Sequence, residues 1–69
     1  MPKLPVVSGS EVVRALERLG FVQIRQRGSL RRHAQGCVVP NHREIKQGTL
    51  HGVLKQASVS PEEFVTALR

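Results

Sequence analysis

Phe21-Val22-Gln23-Ile24-Arg25-Gln26-Arg27-Gly28-Ser29-Leu30-Arg31-Arg32-His33-Ala34-Gln35-Gly36-Cys37-Val38-Val39-Pro40 is the stretch that decides the fold. Its first seven residues alternate with period two and are rich in β-branched side chains. Val22 and Ile24 fall on one face of a half-buried strand, and Gln23, Arg25 and Arg27 fall on the other. Gly28-Ser29 interrupts the pattern. Leu30 to His33 then forms a second strand, Ala34-Gln35-Gly36 a tight turn, and Cys37 to Pro40 a third strand. A meander of three short antiparallel strands is expected, with arginines on its water-facing side.

Helices flank the meander. Upstream, Ser8-Gly9-Ser10-Glu11 spells a capping box, and Val12, Leu16 and Leu19 recur at i, i+4 and i+7, joined by Val13 and Ala15. Glu11, Arg14, Glu17 and Arg18 take the solvated face. Gly20 supplies the left-handed stop, with Phe21 folding back onto the last turn. Residues 1–7 contain Pro2 and Pro5 and read as an extended lead-in. Downstream, Asn41 to Gln47 reads as a polar loop. Leu50, Val53, Leu54 and Ala57 mark a helix opened by Gly48-Thr49. Ser60-Pro61-Glu62-Glu63 starts a last short helix that tucks Phe64, Val65 and Leu68 onto the core. The fold class is α+β: α-β-β-β-α, helices on one face of a three-stranded antiparallel sheet, with a short C-terminal helix, and residues 1–69 as one domain.

Composition narrows the function. Eleven Lys and Arg against five acids give a net charge of +6 and a pI near 11. Six of the eleven lie between Arg25 and Gln47, with His33, His42, Cys37 and a single acid, Glu44. Cations that neutralise phosphates release condensed counterions, so nucleic acid is the first partner to consider. Two Phe and no Trp or Tyr argue against a sheet that stacks bases on aromatic rings. His33, Cys37 and His42 are too few for a zinc site, the chain has no Asp for paired-carboxylate catalysis, and neither metal nor cofactor is expected. One cysteine cannot form an internal disulfide, and no apolar run approaches a membrane span. The chain reads as cytoplasmic, without membrane association.

The order and spacing of several pieces carry a family resemblance: Val13 to Val22, Arg25-Gln26-Arg27-Gly28-Ser29, Val38-Val39-Pro40-Asn41-His42, Ile45 to Leu50 continuing through Ala57, and Ser60 to Phe64. Together they resemble the HicA-type toxins of bacterial toxin-antitoxin pairs. That resemblance implies a double-stranded-RNA-binding-domain-like fold, endoribonuclease action on mRNA without a metal, and silencing by a HicB-type antitoxin. The chain departs from the family at one position. The Gly-Ser pair is followed in the family by a histidine held to be catalytic, and here Leu30 stands there, with a shortened segment before Val38. Gly28 and Ser29 carry over.

Cleavage needs a base for the ribose 2′-hydroxyl and an acid for the leaving 5′ oxygen, roles that imidazole fills near neutral pH. Leucine fills neither. His33, amid the arginines, and His42, which matches a histidine often found there in the family, are the imidazoles left for proton transfer, with His51 a surface residue. Arg25, Arg27, Arg31, Arg32 and Lys46 are the expected phosphate ligands, and Ser29 the hydrogen-bonding group near the scissile phosphate. Weak or absent cleavage with retained binding is the expectation. Two alternatives stay open: a non-catalytic RNA-binding or antitoxin-bound domain, and a helix-turn-helix DNA-binding protein built on Leu54 to Phe64, whose recognition helix would begin with two glutamates.

Overall fold

A computed structural model describes residues 4–24 and 28–69. Its elements run α1 (Gly9–Arg18), β1 (Val22–Gln23), β2 (Ser29–Arg32), β3 (Gln35–Val38), α2 (Gln47–Ala57) and α3 (Pro61–Leu68). The strands form one antiparallel sheet in the order β1-β2-β3. Among the described residues, no helix is long and apolar enough to cross a membrane.

The helix boundaries follow from local chemistry. Ser8 Oγ accepts from the Glu11 amide at 3.2 Å, and the Glu11 carboxylate accepts from the Ser8 amide at 3.0 Å. Gly20, at φ 98°, ends α1, and the Phe21 amide reaches back to the Leu16 carbonyl. The same reciprocal cap joins Ser60 and Glu63 around Pro61 at the start of α3. Helix α2 ends less comfortably. Its C-cap Ser58 sits at φ 56°, in the left-handed region, with its amide donating to Leu54 and Lys55 carbonyls. A side chain there opposes a backbone that glycine adopts freely, so Ser58→Gly should stabilise the fold by about 0.5–1 kcal/mol. A thermal melt checks the sign: the midpoint should rise by a few degrees.

The core is mostly aliphatic, with Phe21 and Phe64 its two rings. Val12, Leu16, Leu30, Ile45, Leu50, Leu54 and Phe64 are its largest fully buried side chains. Helix α1 packs on α3, and α2 packs on β3. Leu30 pairs with Gln23 on one side and Cys37 on the other, and Leu30 and Cys37 turn inward with Phe21 and Val39. The lead-in does more than its prolines suggest. Leu4 and Val7 are buried, Val7 bridges Ile45 as a fragment of antiparallel ladder, and the Gln47 amide donates to the Leu4 carbonyl at 3.0 Å.

Several expectations need correction. Strand β1 is only two residues long, and Val22 and Ile24 lie on the outer sheet face, 64% and 48% exposed. The inward phase belongs to Phe21, whose placement after Gly20 fixes which side of the strand meets the helices. The hairpin turn is His33-Ala34, closed by Arg32 opposite Gln35, so His33 is a turn residue and β3 begins two residues earlier than read. Helix α2 starts at Gln47 with Lys46 as N-cap. Arg18, read as a solvated charge, donates to the Ala67 and Arg69 carbonyls at 2.9 and 2.8 Å, satisfying acceptors that the end of α3 leaves open. The helix-turn-helix reading fails in the same place. Helix α3 lies against α1 with Phe64 fully buried, and its exposed first turn presents Glu62 and Glu63.

Candidate nucleic-acid interface

The described cationic side chains of the stretch from Arg25 to Gln47 fall in two places, one tied to each end of α1. At one end is the β2–β3 hairpin with Arg31, Arg32 and His33. Arg31 is exposed on the outer face, in register with Val22 and Gly36. Arg32 is half-buried: its guanidinium donates to the Leu19 carbonyl at 2.9 Å and lies 4.7 Å from the centroid of the Phe21 ring. That hydrogen bond and cation–π contact clamp the hairpin to the C-terminal end of α1. His33 is exposed with φ 54°, in the left-handed region. Arg25 and Arg27 lie outside the described residues.

At the other end is the segment from Pro40 to Gln47. The Gly9 amide donates to the His42 carbonyl at 2.8 Å, tying this segment to the first residue of α1. Ile45 anchors it through Val7, and Asn41, His42, Arg43 and Glu44 are left exposed. Lys46 is exposed at the N-cap of α2 and makes no side-chain capping bond, and the first turn of α2 carries no acid. Unpaired amides at such a terminus favour an anion. The N-terminus of α1 differs, because the Glu11 carboxylate already occupies it. Beside it, Gly9, Ser10, Gly28, Val39, Pro40 and Asn41 line a cleft of about 180 Å³. Arg43 was not singled out from the sequence, although it sits in the basic stretch; its exposure beside His42 and Lys46 is what brings it forward.

The two imidazoles do not converge. His42 is bonded through its carbonyl to the start of α1, while the neighbour of His33, Arg32, is bonded to the residue just past its end. A ten-residue helix is about 15 Å long, so the two anchors stand well apart and nothing pairs the imidazoles as acid and base. His51 is exposed on α2.

The position after Gly28-Ser29 belongs to the core. Leu30 is 1% exposed, on the face that meets the helices. Ser29, one residue earlier, is on the opposite face but also buried. Gly28 stands at φ 86° against the Val39 carbonyl, with Val39 donating to the Gly28 carbonyl at 2.8 Å. Burial pushes the Cys37 thiol above its usual pKa, which keeps it protonated and poorly nucleophilic. No three His, Cys, Asp or Glu side chains come together among the described residues.

A small, basic α+β domain with two cationic ends and a buried leucine after its Gly-Ser pair is the class that fold and site define. Residues 9–59 match the family model described as the HicA toxin of bacterial toxin-antitoxin. The chain belongs to this family: it is a toxin of the toxin-antitoxin type, a class that acts with an antitoxin partner. The match ends before α3. No curated protein and no solved structure matches the chain.

Proposed function

We propose that this toxin is directed at mRNA, which it binds through its cationic ends, and that its cleavage is weak or absent. The observation that carries the second half is the burial of Leu30. The family resemblance assigns proton transfer to that position, and here it holds an aliphatic side chain packed against the helices. Restoring function there would need a polar group to face outward from a site that faces inward. Binding does not depend on it. Arg31, Arg32, Arg43 and Lys46, with Arg25 and Arg27, supply the charge, and the N-terminus of α2 offers amides to a phosphate. His42 serves as a phosphate contact in this arrangement. A HicB-type antitoxin is the partner that holds the toxin silent in the cell.

The test combines binding and cleavage on one RNA. Affinity should fall steeply between 50 and 200 mM salt, with a log–log slope of about −0.7 for each single-strand phosphate neutralised. Lys46→Ala should reduce that slope by roughly one contact. The RNA should stay intact. A flat salt response would remove the nucleic-acid reading, and cleavage that disappears in His33→Ala or His42→Ala would place a working catalyst on that residue instead.

A further inference from the structure

Strand β3 forms one edge of the sheet, and its outer side is bare. The register sets which backbone groups point there. Val39 donates to the Gly28 carbonyl at 2.8 Å, next along from the Ser29–Val38 and Leu30–Cys37 pairs. Antiparallel pairs alternate between bonded and unbonded, so Cys37 turns its N–H and C=O toward β2, while Gly36 and Val38 turn theirs away. Both are exposed, and among the described residues no backbone or side-chain group bonds to either from the outer side. An open groove of about 430 Å³ runs past Gly36, Cys37 and Val38, with Gln56 at its rim. Bare edges are normally blunted by charge, by proline or by shortness. The other edge, β1, has only two residues. Gln35-Gly36-Cys37-Val38 has four, with neither a charge nor a proline.

We infer that β3 is a self-pairing edge, and that its occupant is β3 of a second copy of this chain, antiparallel about a two-fold axis between the two Cys37 residues. The strand is complementary to itself in that register. Gly36 of each copy lies opposite Val38 of the other, so each pair exchanges two hydrogen bonds and no outward group is left over. Size matches as well. Val38, 61% exposed, comes to lie beside a residue with no side chain. Nothing within the chain calls for glycine there: its φ is not positive, and an added Cβ would meet only the Leu30 carbonyl oxygen, at 3.6 Å. A strand glycine without an internal reason marks a place where another backbone comes close. Pro40, which has no N–H, would face Ala34 and end the pairing. Charge does not oppose the dimer, because Arg31 and its counterpart stand three strand spacings apart, about 14 Å, beyond the reach of exposed charges in physiological salt. RNA fits the edge poorly. Its phosphates would meet carbonyls alternating with the amides, and the carbonyls repel them. The two hairpin tips would stand at opposite ends of a six-stranded sheet, about 24 Å apart along the strands, so the dimer offers an extended polyanion two cationic hairpins.

Sedimentation equilibrium of the unaltered toxin across about a hundredfold range of concentration should show its mass rising from 7.7 kDa toward twice that. Amide hydrogen exchange, followed by NMR, should slow at least threefold at Gly36 and Val38 in the concentrated protein. Gln23, whose amide points away from β2 on the other edge, should exchange as before. Two variants attack the edge itself. Gly36→Lys places two cations beside the axis, and Val38→Pro removes an outward N–H without touching the ladder to β2. Each should move the dimerisation midpoint at least tenfold toward higher concentration, with circular dichroism and melts checking that it folds. Val22→Thr removes apolar surface from the outer face alone and should leave the midpoint within twofold. A toxin that is monomeric throughout the range overturns the inference, as does a dimer that folded Gly36→Lys leaves intact. Dissociation by Val22→Thr would place the contact on the outer sheet face and overturn it too. A toxin that stays monomeric alone, with Gly36 and Val38 amides that slow only when its antitoxin is added, would give the edge to a strand of that partner instead.

Discussion

Leu30→His should cost the protein several kcal/mol and yield no nuclease. Leu30 is among the largest fully buried side chains, in register between Gln23 and Cys37 on the helix-facing side of the central strand. Replacing it removes the transfer energy of an aliphatic side chain and leaves packing defects, while the imidazole brings polar nitrogens into a site that already has every backbone partner it needs. Together these amount to about 3 kcal/mol or more. For 69 residues the whole stability is on the order of 3–10 kcal/mol, so the variant should melt roughly 15 °C lower. Leu30→Met, which conserves volume, should cost under about 1.5 kcal/mol. RNA incubated with each protein below its melting midpoint should remain uncut. A histidine variant that melts with the original and cleaves RNA would show that position 30 can face outward. The idea that this site is closed by its packing would then be wrong.

The elements of this fold were legible wherever a local rule determined them. The two capping boxes, the Gly20 stop and the i, i+3, i+4 stripe of α2 each depend on residues within a few positions of one another, and the structure has them where the sequence places them. The faces of β1 were not legible. Val22 and Ile24 carry the pattern of a buried strand face, but period two fixes only that alternate residues share a side, not which side meets the core. Phe21 decides that, because Gly20 returns the chain onto α1 with the ring inward. The lead-in was opaque for a similar reason: Leu4 and Val7 find their partners, Gln47 and Ile45, some forty residues away.

For the site, the same division holds. The basic stretch and its histidines were visible as composition, whereas their separation into two ends follows from long-range hydrogen bonds, Arg32 to Leu19 at one end and Gly9 to His42 at the other. Adjacency in sequence made His33 and His42 look like members of one cluster. The length of α1 between their anchors makes them members of two. What unites the ends is the charge field, which acts over about 8–10 Å in physiological salt and favours an extended polyanion over a small anionic ligand.

Glycine-to-alanine substitution should have opposite effects at two pairs of positions, and the difference measures how tightly the segment carrying His42 is held. A Cβ at Gly9 would overlap the Pro40 carbonyl oxygen and crowd Asn41 Cα and the His42 amide nitrogen, each at 3.3 Å. A Cβ at Gly28 would stand 2.5 Å from the Val39 carbonyl oxygen, at a φ of 86° that already opposes any side chain. Backbone oxygen cannot rotate aside as a side chain can. Gly28→Ala therefore carries about 1–2 kcal/mol of conformational strain plus the overlap, and about 2–4 kcal/mol in all. Gly9→Ala has no such strain, but it must push the Pro40–His42 backbone off the start of α1 and break the 2.8 Å bond from Gly9 to His42, for about 2 kcal/mol. At Gly48 and Gly52 an added Cβ meets nothing within 4 Å, and both lie within α2. Gly48→Ala and Gly52→Ala should therefore each stabilise the protein, by up to about 1 kcal/mol. Denaturant midpoints of the four variants give the stability order directly. RNA affinity then separates the two damaging changes: Gly9→Ala moves the backbone beneath His42 and Arg43 and should weaken binding even where the protein is fully folded. Unaltered RNA affinity in folded Gly9→Ala would mean that this segment's position is unimportant for binding, and the contact would have to be sought on the hairpin instead.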